Sequence, residues 1–176
     1  ADTVEALRRL DAAARMADRE LGGAVALRVY SSAIADLLDL STVAIDPQGF
    51  IYVSEYGEND RIQKFNARGE FLSAWGSVGT APGQFQRPSG IDLSPDGRLY
   101  AADAVNHRVQ VFDLDGKLLR VIGREGTGPG EFRYPYDVSL RGDALYVLEF
   151  GNHRVQKLTR DGKPLGLVGQ PGSSDG

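Results

Sequence analysis

The stretch LSPDGRLYAADAVNHRVQVFDLDGKLLRVIG, residues 93–123, decides how the rest of the chain is read. Its short runs of aliphatic and aromatic residues are broken by tight turn signals, which predicts strands at 90–94, 98–103, 108–113 and 117–123. SPDG at 94–97 supplies a proline that presets φ and a glycine that tolerates positive φ, as a tight turn requires. DLDG at 113–116 does the same between the third and fourth strands, and TRDG at 159–162 is its counterpart. RVQVF at 108–112 places Val109 and Val111 on one face and Phe112 on the other. Apolar residues on both faces suit a sheet sandwiched between neighbours.

The pattern is written three times. IDPQGFIYVSEYGENDRIQKFNARGEFLSAWG (45–76) precedes it and LRGDALYVLEFGNHRVQKLTRDGKPLGLVG (140–169) follows. Tyr52, Tyr100 and Tyr146 stand 48 and 46 residues apart; Gly76, Gly123 and Gly169 stand 47 and 46 apart. The connecting loops repeat as well, GTAPGQFQRP at 79–88 and GTGPGEFRYP at 126–135. Four strands per unit at this period is the arrangement of β-propeller blades. The expected architecture is mainly β: a partial, three-blade propeller of four-stranded antiparallel blades with an N-terminal α-helical segment. The blades are expected at about 41–88, 89–135 and 136–170, with a flexible tail at 171–176.

The copies resemble NHL repeats, named for an Asn-His-Leu element that stands here as Asn106-His107-Arg108 and Asn152-His153-Arg154. The stretch YVSEYGENDRIQKF (52–65) looks like bacterial NHL-repeat proteins. The resemblance covers roughly residues 41–170 and implies a propeller, commonly of six blades, where this chain has three. Some relatives carry a metal ion in a hydrolase or lyase site, and others bind RNA through a basic face.

Bulk composition narrows these options. A chain of 176 residues is long enough to bury a core without disulfides, and it has no cysteine. The net charge is −4 and the pI about 5.2. Residues 41–176 carry 15 Lys and Arg against 17 Asp and Glu, a balance of −2. That balance argues against an RNA-binding face. No apolar run approaches the roughly 20 residues of a membrane span. A signal peptide removed before Ala1 would place the chain in the periplasm or outside the cell.

Residues 1–40 do not repeat. DTVEALRRLDAAARMADRELGG (2–23) reads as a helix, with Asp2 and Glu5 set as a capping box and Gly22 as its stop. Val4, Leu7, Leu10 and Leu21 belong to its apolar stripe, which either packs on the protein's own core or docks a partner.

The only two histidines, His107 and His153, sit at one repeat position and invite a metal or a catalytic pair. The first copy has Asp60 there, while Asn59, Arg61 and Gln63 persist beside it, so a polar residue serving a tight turn is the better reading. Glu55, Asp103 and Glu149 close the second strand of each copy. They are expected to pair with Arg61, Arg108 and Arg154; the alternative is calcium or zinc held by Glu55, Asp103 and Glu149 with His107 and His153. One acid and one arginine in every copy speak for scaffold, because a catalytic site needs different groups in different roles. No phosphate loop, nucleophile elbow or His-Glu-x-x-His pair occurs.

The expectation is therefore a non-catalytic interaction scaffold without a cofactor, working in an assembly. Three blades would expose two apolar faces, to be covered by a second copy, by another protein, by residues 1–40, or by further blades of a longer propeller. Gln84, Phe85, Arg87, Glu131, Phe132, Arg133 and Tyr134 in the connecting loops are the partner-contact candidates, with Phe85 and Phe132 also readable as core plugs. Trp75 is expected to pack between blades.

Overall fold

The computed structural model describes residues 40–57 and 59–169. The expected helix and its stripe, Val4, Leu7, Leu10 and Leu21, lie outside them, as does the tail. The described residues form twelve strands and no helix. Blade 1 comprises β1 (Leu40–Ile45), β2 (Ile51–Glu55), β3 (Arg61–Phe65) and β4 (Phe71–Trp75). Blade 2 comprises β5 (Pro88–Ser94), β6 (Arg98–Asp103), β7 (Arg108–Asp113) and β8 (Leu118–Ile122). Blade 3 comprises β9 (Pro135–Arg141), β10 (Ala144–Glu149), β11 (Arg154–Thr159) and β12 (Pro164–Val168). Each is an antiparallel meander, its strands paired in chain order.

The turns form where the sequence places them. Asp113 accepts from the N–H of Asp115 and Lys117 through Oδ1, and Gly116 (φ +89°) donates back to the Asp113 carbonyl. Asn66 and Thr159 cap the equivalent turns of blades 1 and 3 with their own side chains, and Asp46 does the same in the turn between β1 and β2. A short side-chain acceptor followed by a glycine in the left-handed region closes these hairpins locally, before any blade meets another.

The inner strands β1, β5 and β9 lie side by side. Ser54 Oγ donates to the Ser89 carbonyl (2.7 Å), Ser89 Oγ to the Pro135 carbonyl (3.4 Å), and Leu140 N–H to Asp92 Oδ2 (2.7 Å). A Cβ at Gly90 would strike Asp137, so glycine is what lets β5 approach β9.

Two cores lie between the three blades. Ala44, Tyr52, Ile62 and Phe85 meet Ile91, Leu99, Ala101 and Phe112 between blades 1 and 2, and Trp75 packs on Tyr52 and Phe112 with centroids 6.4 and 6.2 Å away. Tyr100, Ala102, Val109, Val111, Ile122 and Phe132 meet Val138, Leu140, Leu145, Val147 and Leu158 between blades 2 and 3. The middle blade is thus apolar on both faces, and the first five residues of β7 are all buried. A side chain covered on each face of a sheet is the physical meaning of the apolar residues on both faces of RVQVF.

Candidate functional site

The repeated acid, asparagine, arginine and glutamine converge on one task. In blade 2, Asp103 is fully buried at the end of β6 and accepts from Arg108 Nε (2.7 Å), Asn106 Nδ2 (2.9 Å), Gln110 Nε2 (3.1 Å) and the backbone N–H of Gln86 (2.8 Å). Burial pushes the Asp103 carboxyl up, while the N–H groups of Gln86, Asn106 and Arg108 pull it down. With its Nε fixed there, Arg108 turns both terminal nitrogens onto the connecting loop, donating to the carbonyls of Thr80, Ala81 and Gln84 at 2.8 Å each. Gln110 adds a bond to Gln84 O (2.7 Å) and accepts from Gly83 N–H (2.8 Å). The planar fork of arginine suits several carbonyls of one loop.

Blade 3 repeats the clamp. Glu149 holds Asn152, Arg154 Nε (2.7 Å) and Gln156, and accepts from Arg133 N–H. Arg154 donates to Thr127, Gly128 and Glu131, and Gln156 to Glu131. Each clamp draws in the loop from the blade before it, and the loop carries a phenylalanine into the gap. Phe85 and Phe132 are 0 % exposed, each ring standing where a Cβ on Gly76 or Gly123 would be. Both are therefore plugs, not contact residues for a partner. Gln84 and Glu131 are likewise occupied within their loops: Gln84 accepts from Ala81 N–H, and Glu131 accepts from Gly128 N–H and from Arg124. The Arg124 hydrogen bonds hold the Glu131 carboxyl below the usual carboxylate range.

Blade 1 has the same four residues with a different outcome. Glu55 accepts from Asn59 (3.0 Å), Arg61 Nε (2.7 Å) and Gln63 (2.7 Å). The Arg61 side chain is 37 % exposed, against 11 % for Arg108 and 9 % for Arg154. Among the described residues its terminal nitrogens donate to no loop.

The histidines answer to backbone geometry. Asp60, His107 and His153 all lie in the left-handed region, with φ of 42°, 55° and 50°. Asn, Asp and His enter this region more readily than other side chains, which accounts for an aspartate in one copy and histidine in two. The side chain also receives the next blade: Asp60 Oδ2 accepts from Arg87 N–H (3.1 Å) and His107 Nδ1 from Tyr134 N–H (3.1 Å). The metal alternative finds no gathering of Glu55, Asp103, Glu149, His107 and His153; among the described residues no three His, Cys, Asp or Glu side chains cluster to hold an ion. Each carboxylate is turned to its own blade's clamp instead.

Of the contact candidates, Arg87, Arg133 and Tyr134 remain at the surface. Arg87 lies over the Tyr56 ring (5.3 Å) and Tyr134 meets His107 edge-on (4.6 Å). The larger apolar surface was not among them. On the face of blade 3 turned away from blade 2, Val168 is 76 % and Phe150 71 % exposed, with Leu148 and Tyr136 beside them. Tyr136, Leu148, Phe150, His153, Val155, Val168 and Gly169 line a hollow of about 390 Å³. Alignment of the copies could have found it, since Leu148 and Phe150 stand where blade 2 has Ala102 and Ala104.

These features define the chain as an arc of a β-propeller. A family described as 6-bladed beta-propeller matches residues 85–158. The chain is also similar to a solved streptogramin B lyase, at 24 % identity and a TM-score of 0.57 over 76 % of this chain and 41 % of that one. A catalytically inactive virginiamycin B lyase from Staphylococcus aureus, solved with quinupristin, is similar at 22 % identity and a TM-score of 0.59, over 79 % of this chain and 44 % of that one. At these identities the likeness is one of fold, and the chain spans less than half the length of either structure.

Proposed function

We propose that this chain is a non-catalytic interaction module, an NHL-type propeller arc that works inside an assembly through the outward face of blade 3. The observation that carries this reading is the exposure of Val168, Phe150, Leu148 and Tyr136 on one sheet face. Exposed apolar patches of this kind mark interaction surfaces. At the other end, Val53 and Phe65 sit on the face of blade 1 turned away from blade 2 and yet are 0 % and 1 % exposed. In this reading residues 1–40 form the arm that covers them, the blades occupy about 41–170, and 171–176 form the tail.

An apolar fluorescent dye tests the reading. The chain should bind it, and the double variant Phe150→Ser with Val168→Asp should not, while both melt at the same temperature. A chain that binds no dye, or a double variant that melts several degrees lower, would mean the face is already covered within the chain, and the reading would fail.

Catalysis is the competing reading, because both similar structures are lyases. The saturated carboxylates Asp103 and Glu149 speak against it. Mass-spectrometric metal analysis of protein purified without chelator separates the two: stoichiometric calcium or zinc would favour the enzyme.

A further inference from the structure

The two covered interfaces show what the blade 3 face is shaped to receive. At each, the preceding blade offers a glycine at the end of its fourth strand, and a phenylalanine nine residues later fills the space above it: Gly76 with Phe85, Gly123 with Phe132. Gly169 is the third member of the series, and its surroundings are the hollow lined by Leu148, Val155 and Val168. A second feature repeats beside it. Lys64 lies over the Tyr52 ring (5.7 Å) and reaches across to Leu114 O (2.8 Å) and Asp115 Oδ1 (3.1 Å) in the acidic turn of the next blade. Lys157 lies in the same way over the Tyr146 ring (5.8 Å) on the outward face of blade 3. A third is His153, whose equivalents Asp60 and His107 accept the N–H of the residue entering the next blade.

We infer that the blade 3 face is the docking site for a further propeller blade of defined chemistry, one led by a Gly-Thr-x-Pro-Gly-x-Phe loop and carrying an aspartate in its third turn. This rests on the reading of that face as an interaction surface and says what meets it. The phenylalanine fills the hollow over Gly169, the aspartate meets Lys157, and the entering N–H meets His153.

A second copy of this chain does not fit. Its Phe85 and Phe132 are fully buried in their own seats. Its first blade presents Arg68 at the position of Asp115, opposite Lys157. With Leu40 set against Pro88, as their matching strand partners Glu55 and Asp103 require, the residues that lead into that blade have Ser31, Ala35 and Leu37 where Gly79, Gly83 and Phe85 stand. Gly79 and Gly83 have φ of 155° and 85°, which a side chain resists.

The register of the copies provides a test. Gly169, Gly172, Ser173 and Gly176 align with Gly123, Gly126, Thr127 and Gly130, so Glu-Phe-Arg-Tyr-Pro added after Gly176 continues the loop with its phenylalanine nine residues beyond Gly169. Tethering gives the plug a high local concentration. The phenylalanine extension should melt about 5 °C above a Glu-Ala-Arg-Tyr-Pro extension. Val168→Glu, at a site exposed in the unextended chain, should erase the difference. Equal melting of the two extensions would overturn the inference, and persistent dye binding would then leave the interaction reading standing. A stable dimer of the unextended chain in light scattering, twice 19.0 kDa, that Val168→Glu dissolves would also overturn it, because the face would belong to a second copy.

Discussion

The two ends of the arc are built from the same repeat and differ in what covers them. On blade 1 the outward face is sealed, with Val53, Gln63 and Phe65 buried, while its arginine fork is half open. On blade 3 the clamp is closed, because Arg154 grips the incoming loop, and the outward face is bare. Clamp and plug therefore belong to different partners of each interface. A blade holds the loop that precedes it and seats the phenylalanine of the loop that follows. Among the described residues this arc therefore ends in an arginine fork with no loop carbonyls on blade 1 and in an unfilled hollow over Gly169 on blade 3.

The largest effect should come from emptying a filled seat. Phe132→Ala leaves a cavity between blades 2 and 3 and should cost about 3–5 kcal/mol in urea unfolding, whereas Phe150→Ala at the open end should change stability by about 0.5 kcal/mol or less. Equal costs would mean that the open face is as well packed as the closed one.

The clamp gives the next contrast. Arg108→Ala strands the buried Asp103 and frees three loop carbonyls, an expected loss of about 3 kcal/mol. Arg61→Ala removes a more exposed pair, and about 1 kcal/mol is expected. If the two variants unfold alike, the Arg61 fork holds a loop as firmly as Arg108 does.

The histidine position separates backbone from side chain. His107→Val should cost about 1–2 kcal/mol, since a β-branched residue is strained at φ 55°. His107→Asp should change stability by only about 0.5 kcal/mol, because Asp60 already performs the same task in blade 1. A large loss in His107→Asp would show that the imidazole does something the turn does not require.

The smallest effect concerns pH. Burial, then the nearby Asp46 carboxylate, raises the Tyr52 phenol well above its ordinary 10.0, and burial raises Tyr100 as well. Each must release its proton more readily unfolded than folded. Stability is therefore full below pH 10 and falls as pH climbs from there towards the folded-state value. Tyr52→Phe should lose about 1 kcal/mol near neutrality with its hydrogen bond to Asp46, and its alkaline decline should be shallower in pH-dependent melting. An unchanged alkaline slope would remove Tyr52 as its source.

Much of this architecture is legible in the order of residues. The expected strands 98–103 and 108–113 form as β6 and β7, and the turn residues Asp113 and Gly116 close the hairpin that follows them. The one-per-blade pairing of acid with arginine follows from hairpin register, since Glu149 stands opposite Arg154 and Asp103 opposite Arg108. The rest depended on contacts between distant segments. Arg108 and Thr80 are 28 residues apart, and no local pattern says that the fork reaches back onto the loop from the preceding blade. For the same reason Gln84 and Glu131 read as surface contacts, although their side chains are occupied within the loops.

By itself the sequence determined the repeat, the twelve strands and the turns, because hairpin geometry depends on neighbours within a few residues and on the left-handed backbone that Gly, Asn, Asp and His allow. It also determined that two phenylalanines sit in matching loops. Only the tertiary structure decided which faces those rings seal, which arginine holds which carbonyls, and that Leu148, Phe150 and Val168 stand uncovered. Burial is a property of what lies on the far side of a sheet, and the residues on one side do not specify it.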